Sequence, residues 1–202
     1  QRLLPVIKEI KSIFPETLIS VDTFNHSVAY ESLKCGADLI NDVSGGRHDP
    51  EIFNVVAEFG CPYVLMHSRG NSINMDKLIN YKNIIEDVKY ELNKQIENAF
   101  NSGVRNCQLI LDPGIGFAKN TLQNLALIKN IEDFVSLPYP ILVGASRKRF
   151  IGEIIGEVDP NKRLLGTAII ASKCVNAKVN ILRVHDVREI VQVIKLTKEI
   201  YN

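Results

Sequence analysis

The sequence lacks any apolar run that approaches the roughly 20 residues of a membrane-spanning helix. It also lacks an excess of one charge, because 24 Lys and Arg side chains are balanced by 23 Asp and Glu side chains. A chain with a net charge of +1 has no strong field to attract nucleic acid or an acidic membrane surface. We therefore predict neither a nucleic-acid partner nor a membrane partner.

Paired cysteines are absent as well. The four cysteines, Cys35, Cys61, Cys107 and Cys174, are scattered without metal-site spacing, and three of them lie in or beside apolar segments. This pattern favours buried free thiols in a reducing compartment over a disulfide or a metal role. The N-terminus resembles neither a signal nor a transit peptide, and it lacks an initiator methionine. We expect a cytoplasmic chain cut from a longer polypeptide, with a mitochondrial location as the alternative.

What is present is the composition of a globular domain. The 202 residues are 46% hydrophobic, enough for one domain, 1–202, with a sizeable core. Short apolar segments alternate with segments of helical periodicity. We predict strands at 18–21, 38–40, 63–66, 109–111, 141–144 and 179–184. We predict helices at 3–14, 27–35, 50–59, 81–102, 120–131, from 149, at 161–174 and at 187–201.

The connections between the predicted strands are long enough for right-handed crossovers, so the sheet should be parallel and the fold α/β. An open doubly wound sheet and a TIM (β/α)8 barrel both fit this alternation. The chain starts with a helix, and a full barrel needs about 250 residues. A TIM barrel that lacks its first two β strands accounts for both facts, and it is the fold that we predict.

The stretch 108–119 is the centre of the predicted site. An apolar strand ends there in Asp112, and Pro113 ends the ladder because it has no N–H to donate. Gly114 and Gly116 then allow a loop to lie close to a ligand. The strand thus places a carboxylate at the edge where α/β proteins keep their chemistry.

Polar side chains follow the other predicted strands too. They are Asp22, Asn41, His67, the segment 146–148, Arg183 and His185. Taken singly, several have a structural explanation: Asp22, Asn41, Asp42 and Asp186 as capping residues, His67 as a satisfied turn residue, Met66 as core, Lys119 as solvated, and Arg147 with Arg149 as a solvated pair. Such explanations do not account for a polar residue at the end of every strand.

The strand ends divide into two predicted subsites. Asp22, Asn41, Asp112 and Lys148 offer acceptors, an amide and a cation, which suit a planar ring with N–H donors. Ser146, Arg147, Arg183 and His185 follow the last two strands, where barrels commonly bind phosphate. A polar heterocycle that carries a phosphate or diphosphate leaving group fits both subsites.

Six motifs, in order and spacing, carry a resemblance that covers the whole chain. They are Ser-Val-Asp-Thr, Ile-Asn-Asp-Val-Ser-Gly-Gly, Leu-Met-His, Leu-Asp-Pro-Gly-Ile-Gly-Phe-Ala-Lys, Gly-Ala-Ser-Arg-Lys-Arg-Phe-Ile-Gly and Arg-Val-His-Asp-Val. Together they resemble dihydropteroate synthase, in particular the fungal type, where this domain ends a multifunctional folate-synthesis polypeptide. The resemblance implies a transferase that joins p-aminobenzoate to 6-hydroxymethyl-7,8-dihydropterin diphosphate and releases pyrophosphate.

The resemblance also implies roles for individual residues. The pterin-binding residues would be Asp22, Asn41, Met66, Asp112, Phe117, Gly144 and Lys148. The diphosphate would be held by Arg183 and His185. The p-aminobenzoate side would be formed by Ser146, Arg147, Lys148 and Arg149, although bacterial members often have Ser at the position of Arg149. The catalytic residues would be Asp22, Asp112 and Lys148.

The implied cofactor is Mg²⁺, with no metal ligand in this chain and the family's metal-binding Asn expected before Gln1. The implied partners are the two small-molecule substrates and a second copy of the chain in a homodimer. Two other functions stay open: a pterin-binding methyltransferase domain, which shares the Asp, Asn and Asp positions, and a non-catalytic pterin-binding fragment. The Ser-Arg-Lys and Arg-Val-His segments argue against the methyltransferase.

Overall fold

A computed structural model describes residues 2–201 and divides them into two compact units. The first comprises residues 2–67 and 91–111, and the second comprises residues 68–90 and 112–201. Helices alternate with short strands in both units, as the sequence predicts.

The first unit holds the longer of the two sheets. Its elements are α1 (Leu3–Ile13), β1 (Ser20–Asp22), α2 (His26–Lys34), β2 (Leu39–Asp42), α3 (Ile52–Phe59) and β3 (Tyr63–Met66). Helix α4 (Ile84–Asn101) belongs to this unit from Glu91 onward, and β4 (Leu109–Asp112) belongs to it up to Leu111. The strand order is β1-β2-β3-β4, and the pairs β1–β2 and β2–β3 are parallel.

Burial explains why the sequences of these strands are mostly apolar. Every residue of β3 and β4 is buried, as expected for a parallel sheet that is covered on both faces. The register of the first pair places Asp22 opposite Asn41. Two of the predicted site residues are therefore neighbours at the carboxyl ends of adjacent strands.

The second unit contains a two-stranded parallel sheet and most of the remaining helices. After β4 come α5 (Thr121–Lys129), α6 (Glu132–Val135), β5 (Leu142–Val143), α7 (Arg149–Ile155), α8 (Leu164–Asn176), β6 (Ile181–Leu182) and α9 (Val187–Tyr201). Strand β5 pairs with β6, so the segments that follow both strands emerge side by side.

Side-chain hydrogen bonds move several element boundaries from their predicted positions. Strand β1 begins at Ser20 rather than at 18, because the Ile19 N–H donates to the Asp38 carboxylate. Helix α4 begins at Ile84 rather than at 81, where the Asn83 side chain accepts from the Ile85 N–H. Helix α8 begins at 164 rather than at 161, since a short 3₁₀ turn, Pro160–Lys162, precedes it.

The four cysteines have free thiols, as predicted, but only Cys61 and Cys174 are buried, and Cys35 is half-buried. Burial raises the pKa of Cys61 to about 11 and that of Cys174 to about 12. Cys107 is exposed because it lies in a 3₁₀ turn before β4. Among residues 2–201, no helix combines the length and the apolar composition needed to cross a membrane.

Candidate functional site

Asp112 lies at the end of β4 and is buried, with 6% of its surface exposed. Its Oδ1 accepts a hydrogen bond from the Gly114 N–H at 2.7 Å. Gly114 has a φ of 71°, a conformation that a residue with a Cβ rarely adopts. The Asp-Pro-Gly sequence therefore turns the backbone so that it binds the carboxylate at the strand end.

The charge state of Asp112 is shifted by its surroundings. Burial raises the pKa of the Asp112 carboxyl to about 6. The Gly114 N–H opposes this rise, as do three cations: Lys148, Lys119 and Arg183. The carboxylate is thus a buried anion in a field of cations, which is a common setting for recognition and catalysis.

Lys148 is the cation that the glycine loop encloses. Its Nζ donates to the Ile115 carbonyl at 2.7 Å and lies 3.9 Å from the centroid of the Phe117 ring. Burial lowers the pKa of Lys148 to about 8; the Asp112 carboxylate opposes the shift and Arg183 adds to it. A Cβ on Gly116 would lie 2.5 Å from the Lys148 Cδ, so this glycine makes room for the lysine.

Lys119 is not solvated, which corrects the structural explanation given above. Its side chain is buried, and Nζ donates to the Gly114 carbonyl at 3.0 Å and to the Phe117 carbonyl at 2.9 Å. The ammonium closes the loop 114–119 from within and contributes to the field at Asp112. The signal that could have identified it is a lysine that directly follows a glycine loop, because the loop carbonyls can accept from an ammonium.

The segments after β5 and β6 are joined by a serine and a histidine. Ser146 Oγ lies 2.9 Å from His185 Nδ1 and accepts from the His185 N–H at 3.3 Å. Arg183 lies beside Gly144, where an added Cβ would be 3.8 Å from the arginine Cβ. The predicted anion-binding residues of the second unit are therefore neighbours.

Arg147 is half-buried and has specific polar partners. Its guanidinium forms a two-point ion pair with Asp186 and donates to the Asn161 side chain at 2.7 Å. It adopts a φ of 59°, and its N–H donates to Thr167 Oγ1 at 3.1 Å. The Asp186 side chain is used for this ion pair rather than as the predicted cap of α9.

Arg149, by contrast, is an exposed residue. Its guanidinium forms ion pairs with Asp76 at 3.3 Å and with Glu153 at 3.4 Å. The solvated pair expected for Arg147 and Arg149 is thus absent from the described residues, because each arginine has its own acidic partner.

The first unit holds the other predicted site residues. Asp22 is exposed, and its Oδ1 accepts from Asn41 Nδ2 at 2.5 Å. In the described part of the chain, the Asn41 Oδ1 atom is buried and has no hydrogen-bond partner. Such an atom costs free energy unless a ligand donates to it. Met66 is buried at the end of β3.

Two further residues of this unit have the structural roles expected of them. Asp42 is buried and accepts from the N–H groups of Ser44 and Gly46 and from the Tyr63 hydroxyl, each at 2.7 Å. His67 is buried and lies 3.1 Å from the Glu91 carboxylate through Nε2. Neither residue is among the predicted ligands.

The structure thus gathers the predicted residues into two sets. The second unit brings together Asp112, Phe117, Gly144, Ser146, Lys148, Arg183 and His185. The first unit brings together Asp22 and Asn41 and holds Met66 on the neighbouring strand.

Comparisons with known proteins match this chain to one family. The family described as "Pterin binding enzyme" matches residues 1–185. The folic acid synthesis protein fol1 of Pneumocystis carinii is 42% identical over 99% of this chain, which covers 28% of that protein. The dihydropteroate synthase of Synechocystis is 38% identical over 100% of this chain and 69% of that protein.

Solved structures give the fold. Dihydropteroate synthase of Thermus thermophilus in complex with 6HMPPP matches with a TM-score of 0.93 and 38% identity, over 100% of this chain and 78% of that one. The same enzyme in complex with 4-aminobenzoate matches with a TM-score of 0.92 and 37% identity, over 100% and 81%. These enzymes are TIM barrels, which confirms the predicted fold class and removes the doubly wound alternative.

Proposed function

Because the chain belongs to the pterin binding enzyme family, and to the dihydropteroate synthases within it, we propose that it joins p-aminobenzoate to 6-hydroxymethyl-7,8-dihydropterin diphosphate and releases pyrophosphate. The chain spans 28% of the fungal relative and 69% of the cyanobacterial one, so the complete reaction is proposed for the full-length protein. The observation that carries the proposal is the buried Asp112 carboxylate beside Lys148.

Asp112 and Lys148 have complementary roles in recognising the pterin ring. The Asp112 carboxylate accepts from ring N–H and NH₂ groups, and the Lys148 ammonium donates to ring acceptors. Phe117 and Gly144 contribute an apolar face and a close backbone approach. The pterin-binding roles of Asp22, Asn41 and Met66 stay predictions, and the unpartnered Asn41 Oδ1 supports one of them.

The chemical step requires charge stabilisation rather than a protein nucleophile. The C–O bond between the pterin methylene and the diphosphate breaks, and the electron pair leaves with pyrophosphate. The aniline nitrogen of p-aminobenzoate forms the new C–N bond and releases a proton. Positive charge develops on the pterin methylene, and the Asp112 carboxylate stabilises it because the site is already arranged for that charge.

Arg183 and His185 act on the leaving group. The arginine offers N–H donors in a planar fork that suits phosphate oxygens. The Nδ1 atom of His185 is hydrogen-bonded to Ser146 Oγ, so Nε2 is the ring nitrogen that can donate to the anion. Ser146 and Arg149 are proposed for the p-aminobenzoate side. For Arg147, the ion pair with Asp186 supports a role in holding that segment in place.

The side chains of residues 2–201 do not by themselves form a cluster that could hold Mg²⁺. The ion prefers oxygen ligands, and residues 2–201 contain no group of three or more His, Cys, Asp or Glu side chains arranged to hold a metal. A Mg²⁺ cofactor, with its ligand before Gln1, stays a prediction of the resemblance.

The proposed reaction is tested by incubating the full-length protein with the two substrates and following pyrophosphate release and dihydropteroate together. Formation of both in equal amounts is expected. Pterin binding without turnover would support the non-catalytic alternative, and transfer of a methyl group from a methylated folate would support the methyltransferase.

The homodimer is tested by sedimentation, and the cytoplasmic or mitochondrial location by imaging of the tagged protein.

Pterin binding should depend on pH in a bell-shaped manner. Affinity is expected to fall below about pH 6 as Asp112 gains a proton, and above about pH 8 as Lys148 loses one. Calorimetric Kd values across this range measure the profile, with the free pterin titrated separately to account for its own ionisation. Asp112→Asn should remove the acid limb, and an acid limb that persists would assign it to another group.

Removing either anion-binding side chain should affect only the phosphorylated ligand. Arg183→Ala or His185→Ala is expected to weaken binding of the pterin diphosphate roughly 10–100-fold, which corresponds to the loss of a hydrogen bond to a charged group. The loss should shrink at high salt, since the contact is partly electrostatic. Affinity for the phosphate-free pterin should stay unchanged, and Lys198→Ala on α9 serves as the control cation. Equal losses for both ligands would contradict this assignment.

A further inference from the structure

The loops that follow β1 and β2 are tied together by a hydrogen-bonded aspartate and histidine. Asp49 lies in the loop before α3, and His26 is the first residue of α2. Asp49 Oδ2 accepts from the His26 N–H at 2.9 Å and lies 2.7 Å from the His26 Nδ1 atom. One carboxylate oxygen therefore contacts both the backbone and the ring of a residue in the other loop.

Asp49 also contacts the backbone at the start of its own helix, α3. Burial acts to raise the pKa of the Asp49 carboxyl, but the His26 N–H, the His26 ring and the Glu51 N–H outweigh it and hold this pKa below its ordinary value. The carboxylate thus accepts from the first residue of α2 and from the N-cap residue of α3, and acceptors at helix starts are stabilising.

A ring contact forms a second tie between the same loops. The rings of Phe24 and His48 meet edge to face, with centroids 4.5 Å apart and an angle of 68° between their planes. Phe24 comes two residues after Asp22, and His48 precedes Asp49. Both ties therefore lie just beyond the carboxyl ends of the two strands.

The backbone pairing of β1 and β2 continues one residue past the predicted ligand Asp22. The Thr23 N–H donates to the Asn41 carbonyl at 3.1 Å. Immediately before it, Asp22 accepts from Asn41 Nδ2 at 2.5 Å. A change in the separation of the two loops would act first on this side-chain hydrogen bond.

We propose that Asp49 and His26 are positioning residues that hold the Asp22–Asn41 pair in its pterin-binding geometry. The proposal rests on the function proposed above. The tie keeps the Asn41 amide oriented so that its buried Oδ1 faces an incoming donor rather than turning to a protein partner. Neither residue touches the ligand, and each acts through the loops that carry the pair.

The chain offers a matched control at the opposite ends of the same strands. Asp38 precedes β2, and its Oδ2 accepts from the Ile19 N–H and from the Lys11 ammonium, each at 2.7 Å. It joins the segments before β1 and β2 as Asp49 joins the segments after them. A general loss of stability should affect both variants alike, whereas a positioning effect should appear only at Asp49.

The test compares Asp49→Ala, His26→Ala and Asp38→Ala in the full-length protein. The pterin Kd is expected to rise about 5–30-fold in the first two and less than about twofold in the third, at comparable losses of Tm. The KM for p-aminobenzoate should stay within about twofold of the parent. His26→Gln, which keeps a side-chain donor, should restore part of the affinity, and Asp49→Asn replaces Asp49→Ala if that variant does not fold.

Two results would overturn the proposal. One is an unchanged pterin Kd in Asp49→Ala, and the other is an equal loss in Asp38→Ala. A parent protein that binds no pterin would refute the proposed function instead. In that case the NMR signals of the Asn41 side-chain amide decide the positioning role, because they should shift in Asp49→Ala and stay in place in Asp38→Ala.

Discussion

Replacement of Asp112 by asparagine is expected to lower kcat by about 10²–10³-fold, the range found when one preorganised electrostatic group is removed. Asparagine keeps the size of the side chain and an oxygen that can accept from the Gly114 N–H. It loses the negative charge. Because the charge matters most when the pterin methylene becomes cationic, the pterin Kd should rise much less than kcat falls.

The same substitution should stabilise the folded protein. The folded-state pKa of Asp112, about 6, lies above the ordinary value of 3.8, so the ionised carboxylate is disfavoured in the folded state at pH 7. This cost begins above the unfolded pKa and is complete above the folded one, and it corresponds to at most about 3 kcal/mol. We expect Asp112→Asn to raise the free energy of unfolding by about 1–3 kcal/mol at pH 7.

Asp42→Asn is the matched control for this prediction. Asp42 is also buried at a strand end, but its carboxylate accepts three hydrogen bonds within the protein. Its replacement should lower stability and change kcat little. Parallel measurements of kcat, pterin Kd and urea unfolding decide the matter. A kcat within a few-fold of the parent, with Kd carrying the whole loss, would reduce Asp112 to a recognition residue.

Replacement of Lys148 by alanine should weaken pterin binding by about 2–4 kcal/mol, the loss expected for a charge-assisted contact in a buried site. Two losses contribute to this weaker binding. The ammonium no longer donates to the pterin ring, and the Ile115 carbonyl in the glycine loop loses the hydrogen bond that it accepts from Lys148 Nζ at 2.7 Å. The Phe117 ring also loses the cation above its face.

Lys148→Met separates the charge from the packing, because methionine keeps an apolar stem against Gly116. Calorimetry with the pterin should show most of the loss in Lys148→Met as well. Arg149→Ala, at the next and exposed position, should leave pterin affinity unchanged. Parent-like pterin affinity in both Lys148 variants would remove this residue from the ring subsite and leave it as a support of the loop.

The amino-acid sequence by itself determined the fold class, the family and most of the strand-end residues. Alternation of short apolar segments with helical periodicity is a local property, and it predicted the parallel α/β arrangement correctly. The Asp-Pro-Gly-Ile-Gly segment likewise predicted a carboxylate at a strand end followed by a turn with positive φ, because Gly and Pro restrict the backbone locally.

Only the tertiary structure decided which polar side chains have partners far away in the chain. Arg147 binds an aspartate 39 residues later, and Asp49 accepts from a helix that begins 23 residues earlier. Sequence periodicity carries no information on such contacts, because they depend on which segments the folded chain brings together. The shifted pKa values of Asp112 and Lys148 arise for the same reason, since burial and neighbouring charges exist only once the chain has folded.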